Sequence, residues 1–328
     1  MKIDEKCNIC ESNEYSCMYP KTPKYSYDLI RCKNCQLVTI YPKPLQTDVV
    51  AFYNTSQRTD YKISEKDYKK ANKKIESIKG RMGEAVLAAK RYERSKTTFG
   101  NKVLGSILKK FMYHWALDYR GDGKILDVGC NNGLYLYLLK NIGWEVYGVE
   151  INSEAAKAAA HIGINCFCGD LESARYPDHY FDVVRLHHVL EHVYSPYRIL
   201  LEIKRILKPD GIAHIEVPNQ ESFSFYVFRH IWHGNQGHLH VFSPSTFKKL
   251  CAKAGFKIKK SYTQATSGKF CVDLAEWAQN KKILSRLLSP KLISNKVFKT
   301  MVIIPFCSML NLFGYGDQYG ATISLNKE

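Results

Sequence analysis

Between residues 124 and 217, apolar and polar positions alternate in blocks. Short apolar runs are separated by stretches whose apolar residues recur at helical spacing. The first run, Ile125-Leu126 with Val128, predicts a buried strand. It leads through Gly129-Cys130-Asn131-Asn132-Gly133 into a helix rich in Leu and Tyr. A second run, Val146 to Val149, stops at Glu150 and completes a β-α-β unit. Three more strands are predicted: Ile164 to Cys168, Phe181 to Leu186 and Ile212 to Val217. Before the last of these, Ile206-Leu207-Lys208-Pro209-Asp210-Gly211 reads as a helix stop and turn. Ser243-Pro244-Ser245-Thr246 predicts a capped helix running to Ala254. A sixth strand then begins at Gly255-Phe256, and a seventh spans Ala321 to Leu325. The fold class expected is α/β.

Composition adds a strong bias. The 328 residues carry a formal net charge of +17, and residues 55–110 alone hold sixteen Lys/Arg against six Asp/Glu. Ile75, Ile78, Met82, Leu87, Val103, Leu104 and Ile107 recur there at roughly helical spacing, which predicts a basic helical linker. Such a surface attracts phosphate-bearing partners, whether nucleotide sugars, anionic lipid or RNA. The first residues, Met-Lys-Ile-Asp-Glu-Lys, lack the apolar core of a signal peptide, so a cytoplasmic location is expected.

Candidate chemistry begins at the first β-α-β unit. A close-approach loop after one strand and a carboxylate at the end of the next suit an adenosine-containing cofactor, the acid accepting from ribose hydroxyls. The dinucleotide pattern G-x-G-x-x-G is absent, because Asn131 stands at the second glycine. Asp127 just before the loop suits a cationic ligand better than a pyrophosphate. Leu126-Asp127-Val128-Gly129 with Gly133 resembles motif I of the class I S-adenosylmethionine-dependent methyltransferases. Phe181-Asp182-Val183-Val184, Leu190-Glu191-His192-Val193 and Leu207-Lys208-Pro209-Asp210-Gly211 follow in the order and at the distances of that family. The resemblance covers roughly residues 115–260. It implies a Rossmann-like seven-stranded sheet and S-adenosylmethionine bound by Asp127, Gly129, Cys130, Gly133, Glu150, Asp170 and His187, with Asp170 near the adenine.

Four of the eleven cysteines have metal-ligand spacing. Cys7-x-x-Cys10 and Cys32-x-x-Cys35 are two hooks that together offer the S4 shell of a structural zinc. The surrounding Tyr27-Asp28-Leu29-Ile30-Arg31, Leu37-Val38 and Tyr41-Pro42-Lys43-Pro44 resemble the zinc ribbon that opens many bacterial methyltransferases of sugar and surface-glycan pathways. Gln36 departs from the glycine usual there.

The acceptor chemistry is expected after the fifth strand. There an aromatic run (Phe223, Phe225, Tyr226, Phe228) precedes Gly237-His238-Leu239-His240. A hydroxyl that takes a methyl group must lose its proton, and a neutral histidine is the usual base. His238-Leu239 matches the His-Leu of the sugar C-methyltransferase motif, whereas Gly237 replaces its acid. His238 and His240 are therefore the catalytic candidates. The expected reaction is O-methylation of a sugar hydroxyl in surface-polysaccharide or glycolipid synthesis, on a sugar nucleotide or a lipid-linked glycan. Alternatives are sugar C-methylation and RNA methylation through the ribbon and basic surface. His188, Glu191, His192 and His238 together resemble a metal site, but with only one carboxylate among them the sequence favours a metal-free centre.

The expected organisation is a zinc ribbon over 1–45, a basic helical linker over 46–120 and a methyltransferase domain over 121–328. A helical insertion occupies about 265–318. In the insertion, six Lys/Arg and no acids from Lys281 to Lys299 precede an apolar segment, Thr300 to Phe313. Interrupted by Pro305 and Asn311, this segment is too short to span a bilayer but suits peripheral membrane contact.

Overall fold

The structure is a computed structural model that describes residues 1–21, 26–45, 47–49, 61, 63–78, 87, 90, 117–228, 237–279 and 288–326. Most of the basic linker lies outside the described residues. Within it, the helix Glu65–Ile78 is described, with Ala71 and Ile75 buried against Leu138.

Two sheets organise the chain. The larger has seven strands: β4 (Lys124–Val128), β5 (Glu145–Glu150), β6 (Asn165–Cys168), β7 (Phe181–His187), β8 (Leu207–Pro218), β10 (Phe256–Gln264) and β11 (Gln318–Leu325). Their order is β10-β11-β8-β7-β4-β5-β6, as the class I resemblance implies. The smaller is β1-β2-β3-β9, from β1 (Tyr15–Tyr19), β2 (Asp28–Cys32), β3 (Val38–Tyr41) and β9 (His240–Val241).

By compactness the chain divides into two units, and strands β7 and β8 contribute residues to both. One unit is Val50–Arg185 with Arg205–Ala213. In it β4 pairs in parallel with β5, and β5 with β6. The strands run outward from β4 to β6, and the chain then returns to place β7 on β4's other side. That reversal makes the end of β4 a topological switch point, where ligands of open α/β sheets bind. Ile125, Leu136, Leu139, Trp144, Ala159, Ile164 and Val183 form its buried core.

The other unit is Met1–Val49 with Leu186–Lys204 and His214–Glu328. Here the cysteine-bearing segment clusters with the C-terminal part of the chain. The physical reason is β-pairing: β3 takes β9 as its antiparallel neighbour, with Val38 opposite Val241 and Thr39 opposite His240. Tyr27, Leu29, Val38 and Ile40 share a core with Phe225, Leu239 and Val241.

The turn predicted at Leu207–Gly211 is instead the beginning of β8, which runs continuously to Pro218. Lys208 fixes this stretch by pairing with Asp182 at 2.9 Å and Asp122 at 2.7 Å. The helix predicted after Ser243 forms over Pro244–Lys253, with Ser243 and Thr246 in a reciprocal capping box.

Within the insertion the helices Ser267–Gln279, Pro290–Ser294, Lys296–Phe298 and Ile304–Leu312 are described, with a π-helical turn at Lys299–Ile303. Phe270, Ile303, Cys307 and Leu310 pack inward, whereas Met301, Leu312 and Phe313 are exposed. Among the described residues no helix is long and apolar enough to cross a membrane.

Candidate functional site

The loop after β4 is built by backbone geometry. Gly129 and Gly133 have φ of 72° and 74°, left-handed values that glycine adopts without steric cost. At Gly133 a Cβ would also meet the Ala159 Cβ at 2.8 Å, so the loop enters its helix only through glycine. Asn131 is left-handed too, at φ 53°. The amides of Gly129 and Cys130 both donate to the Val149 carbonyl, which fastens the loop to the end of β5. Glu150 completes the fastening. Its Oε2 accepts from the Asn131 amide at 2.8 Å and its Oε1 from the Asn152 amide at 2.9 Å. Burial pushes its carboxyl above the usual range, against the lowering pull of these bonds. A carboxylate has about four acceptor positions, so two amides leave capacity for a diol.

Asp127 is 2% exposed, and both of its oxygens accept from Arg185 Nη1, at 2.8 and 3.1 Å. The charge that the sequence assigns to a cationic ligand is thus matched by a guanidinium, which lies over the Tyr135 ring. Cys130 lies 3.5 Å, sulfur to sulfur, from Cys166. Gly148 leaves room for it, since a Cβ there would stand 2.5 Å from the Cys130 sulfur. Asp170 is exposed and accepts from the Ser173 amide at 2.7 Å.

A second constellation lies in the other unit. Glu191 is fully buried, and three imidazoles surround it. Its Oε1 is 3.0 Å from His188 Nδ1, 3.8 Å from His192 Nε2 and 4.0 Å from His238 Nε2. Its backbone carbonyl accepts from the amides of Leu239 and His240, which ties this turn to the histidine loop. Burial drives the Glu191 carboxyl up, but the three histidines outweigh it and hold it below its ordinary value. His238 is pushed down to about 4, chiefly by burial. His188 has φ 55°, a strained value for histidine, immediately after β7. Beside it, Glu216 accepts from His187 at 3.0 Å and from the Tyr262 hydroxyl at 2.7 Å. Burial raises its pKa, yet these donors bring it down to about 2.

Cys7, Cys10, Cys32 and Cys35 converge as their spacing predicts. Cys7 and Cys35 sulfurs stand 3.3 Å apart, Cys10 and Cys32 sulfurs 3.5 Å. Four ligands at the Zn–S length of about 2.3 Å stand about 3.8 Å apart, so the cluster is compatible with zinc after a small expansion. Cys17 is exposed on β1 and is not a member.

Residues 101–261 match the family described as "Methyltransferase domain". The chain carries a class I S-adenosylmethionine-dependent methyltransferase domain. It is similar to a ubiquinone biosynthesis O-methyltransferase of Thiobacillus denitrificans, 25% identical over 153 residues, which are 42% of this chain and 66% of the relative. The enzyme of that name from Psychrobacter arcticus is 26% identical over 153 residues, 40% of this chain and 58% of the relative. The chain therefore spans slightly less than two thirds of the length of these relatives. A solved methyltransferase from Archaeoglobus fulgidus is 22% identical, with a TM-score of 0.44 over 73% of this chain and 98% of that one.

Of the residues predicted to serve the methyltransferase domain, Asp127, Gly129, Cys130, Gly133 and Glu150 gather at the C-terminal ends of β4 and β5, where the loop is bonded to Val149 and Glu150. Asp170 follows β6. His187 is half-exposed and bonded to Glu216. His238 joins the Glu191 cluster, whereas the His240 ring is buried in β9 and its pKa is pushed down to about 3 by burial. The geometry therefore separates two histidines that the sequence groups together. Sequence reasoning missed Arg185, Glu216 and Tyr262. Only the 58-residue separation of Asp127 from Arg185, with no motif linking them, was visible beforehand.

Proposed function

We propose that the protein O-methylates a hydroxyl of a sugar or glycan acceptor, with S-adenosylmethionine as donor. The bound cofactor supplies an electrophilic methyl group on a sulfonium, and its transfer to a hydroxyl oxygen releases one proton. The Gly129–Gly133 turn and Glu150 hold the nucleoside end, with Glu150 toward the ribose and Asp170 toward the adenine. The released proton is handled by the Glu191 cluster, in which His238 is the member supplied by the loop after β8. The observation that carries this reading is a fully buried carboxylate ringed by three imidazoles, an arrangement that packing alone does not require.

Three further points support the sugar or glycan acceptor. His238-Leu239 retains the histidine half of the sugar-methyltransferase motif, and Gly237 in place of the acid favours oxygen over carbon. The four converging cysteines support a structural zinc in the ribbon of that resemblance. Exposed Met301, Leu312 and Phe313, which follow Lys291, Lys296 and Lys299 closely in sequence, support contact with an anionic membrane that carries a lipid-linked acceptor. The curated relatives' names favour a second reading, methylation of a hydroxyl on a quinone precursor.

The test is a methyl-transfer assay against nucleotide sugars, lipid-linked glycans and dihydroxylated quinone precursors, the product bond being assigned by NMR. A methyl ether on a sugar supports the proposal. A methyl ether on a ring hydroxyl transfers the reading to the second class. Methylation of carbon or of an RNA base overturns both.

A further inference from the structure

Within the ribbon-bearing unit, the environment of Glu191 is unbalanced as it stands. Its side chain is completely buried, and Oε2 makes no hydrogen bond among the described residues. Its Oε1 has one donor, His188 Nδ1 at 3.0 Å. The Nε2 atoms of His192 and His238 stand at 3.8 and 4.0 Å, beyond hydrogen-bond reach.

Tautomers sharpen the picture. His192 Nδ1 is 2.6 Å from the Gly237 carbonyl, so it carries the proton and donates. The lone pair of His192 is thereby left on Nε2, toward Glu191. A ring nitrogen that donates to a main-chain carbonyl while the other faces a shared centre is the orientation of a metal-ligating histidine. His188 completes a second layer. Its Nε2 lies 3.1 Å from the Gln318 side-chain nitrogen, which donates to it, so His188 Nδ1–H donates to Glu191.

We propose that Glu191, His192 and His238 bind one divalent first-row transition cation, with His188 and Gly237 orienting the ligands. The donor atoms of the three all lie within 4.8 Å of one another. Ligands at about 2.0–2.2 Å from a shared ion stand about 3–4 Å apart, so the site closes on the ion with shifts of up to about 1 Å. Two imidazoles and one carboxylate select a transition cation over magnesium or calcium. Three protein ligands leave positions open for an oxygen ligand, which matches a hydroxyl acceptor. In this respect the inference rests on the proposed O-methylation.

The neighbouring trio His187, His188 and Glu216 is a weaker candidate. Glu216 already accepts from His187 and Tyr262, and His188 is engaged by Glu191 and Gln318. The sequence favoured a metal-free centre because only one carboxylate is present. The structure shows that the carboxylate is buried and that the Nε2 atoms of His192 and His238 face it.

Zinc content of the full chain tests the site without any acceptor. After equilibration with micromolar zinc and removal of free ion, elemental analysis should find two equivalents per chain, one on the cysteines and one here. Glu191→Gln, which is isosteric, and His238→Ala, on a loop, should each fall to one equivalent while the melting temperature confirms folding. Cys32→Ser with Cys35→Ser should retain the equivalent bound at Glu191. One equivalent in the wild-type chain, or two in both Glu191→Gln and His238→Ala, overturns the proposal. Two equivalents without methylation of any hydroxyl would sink the proposed function and leave the site standing. One equivalent with hydroxyl methylation would do the reverse.

Discussion

Glu150→Gln isolates the contribution of one carboxylate to the cofactor turn. In the wild-type chain each carboxylate oxygen accepts a backbone amide, Asn131 at 2.8 Å and Asn152 at 2.9 Å. The amide side chain keeps the shape but turns one oxygen into an NH2 group, a donor set against a donor. One backbone N–H then loses its partner at a position only 9% exposed, and a buried unsatisfied donor costs about 1–3 kcal/mol. Under the proposed assignment, loss of the charge also removes a charge-assisted bond to the ribose hydroxyls, a contribution of similar size. Because the Asn131 amide belongs to the loop proposed to meet the ligand, part of the first cost appears as lost affinity. Together they predict S-adenosylmethionine binding weaker by roughly ten- to a hundredfold, since each tenfold is about 1.4 kcal/mol. Isothermal titration calorimetry reads this directly, with thermal melting as the control for folding. Unchanged affinity in a folded variant would refute the assignment of Glu150 to the cofactor.

Other predictions follow from single residues. Gln36 has φ 73°, which costs a non-glycine residue about 1–2 kcal/mol, so Gln36→Gly should raise stability by about 0.5–1 kcal/mol after the entropy of the added glycine is subtracted. A denaturant titration checks it. Asp317 is buried and its pKa is pushed by burial to about 6, above the unfolded value of about 3.9. Well below pH 4 both states are protonated; as pH rises to about 6 the unfolded chain releases its proton first, so stability is lost by up to about 3 kcal/mol. Asp317→Asn should therefore raise the melting temperature at pH 7 and leave it nearly unchanged at about pH 3, below the unfolded value. His238→Ala should lower turnover by about 10²–10⁴ with cofactor affinity retained, whereas unaltered turnover would make the ring a packing residue.

The β-α-β unit was legible because its signals are local. Apolar runs of strand length, glycines at the β4 turn and the Ser243 cap each depend on a few neighbouring residues, and each forms where it was expected. The departure of Gln36 from the usual glycine was also legible as a departure. The left-handed backbone there explains why glycine is the usual choice, and the Gln36 side chain donates to the Lys33 carbonyl at 2.8 Å. What the sequence did not show came from longer range. Leu207-Lys208-Pro209-Asp210-Gly211 has turn composition, yet Lys208 finds two carboxylates and the strand begins there. The Arg185 partner of Asp127 was not legible because it is 58 residues away in sequence. Glu191 was grouped with His188, His192 and His238 in the sequence, but nothing local marked it as buried. Its burial and its histidine neighbours depend on Gly237 and His238, which only folding brings to it.

The decisive measurement is incubation of the 328-residue chain with methyl-labelled S-adenosylmethionine and the acceptor panel. Labelled product and S-adenosylhomocysteine should be measured together. The account predicts one S-adenosylhomocysteine released for each methyl ether formed on a sugar hydroxyl, with turnover lost in Glu191→Gln. Cofactor that fails to bind, or label that appears only on carbon or nitrogen, would contradict it.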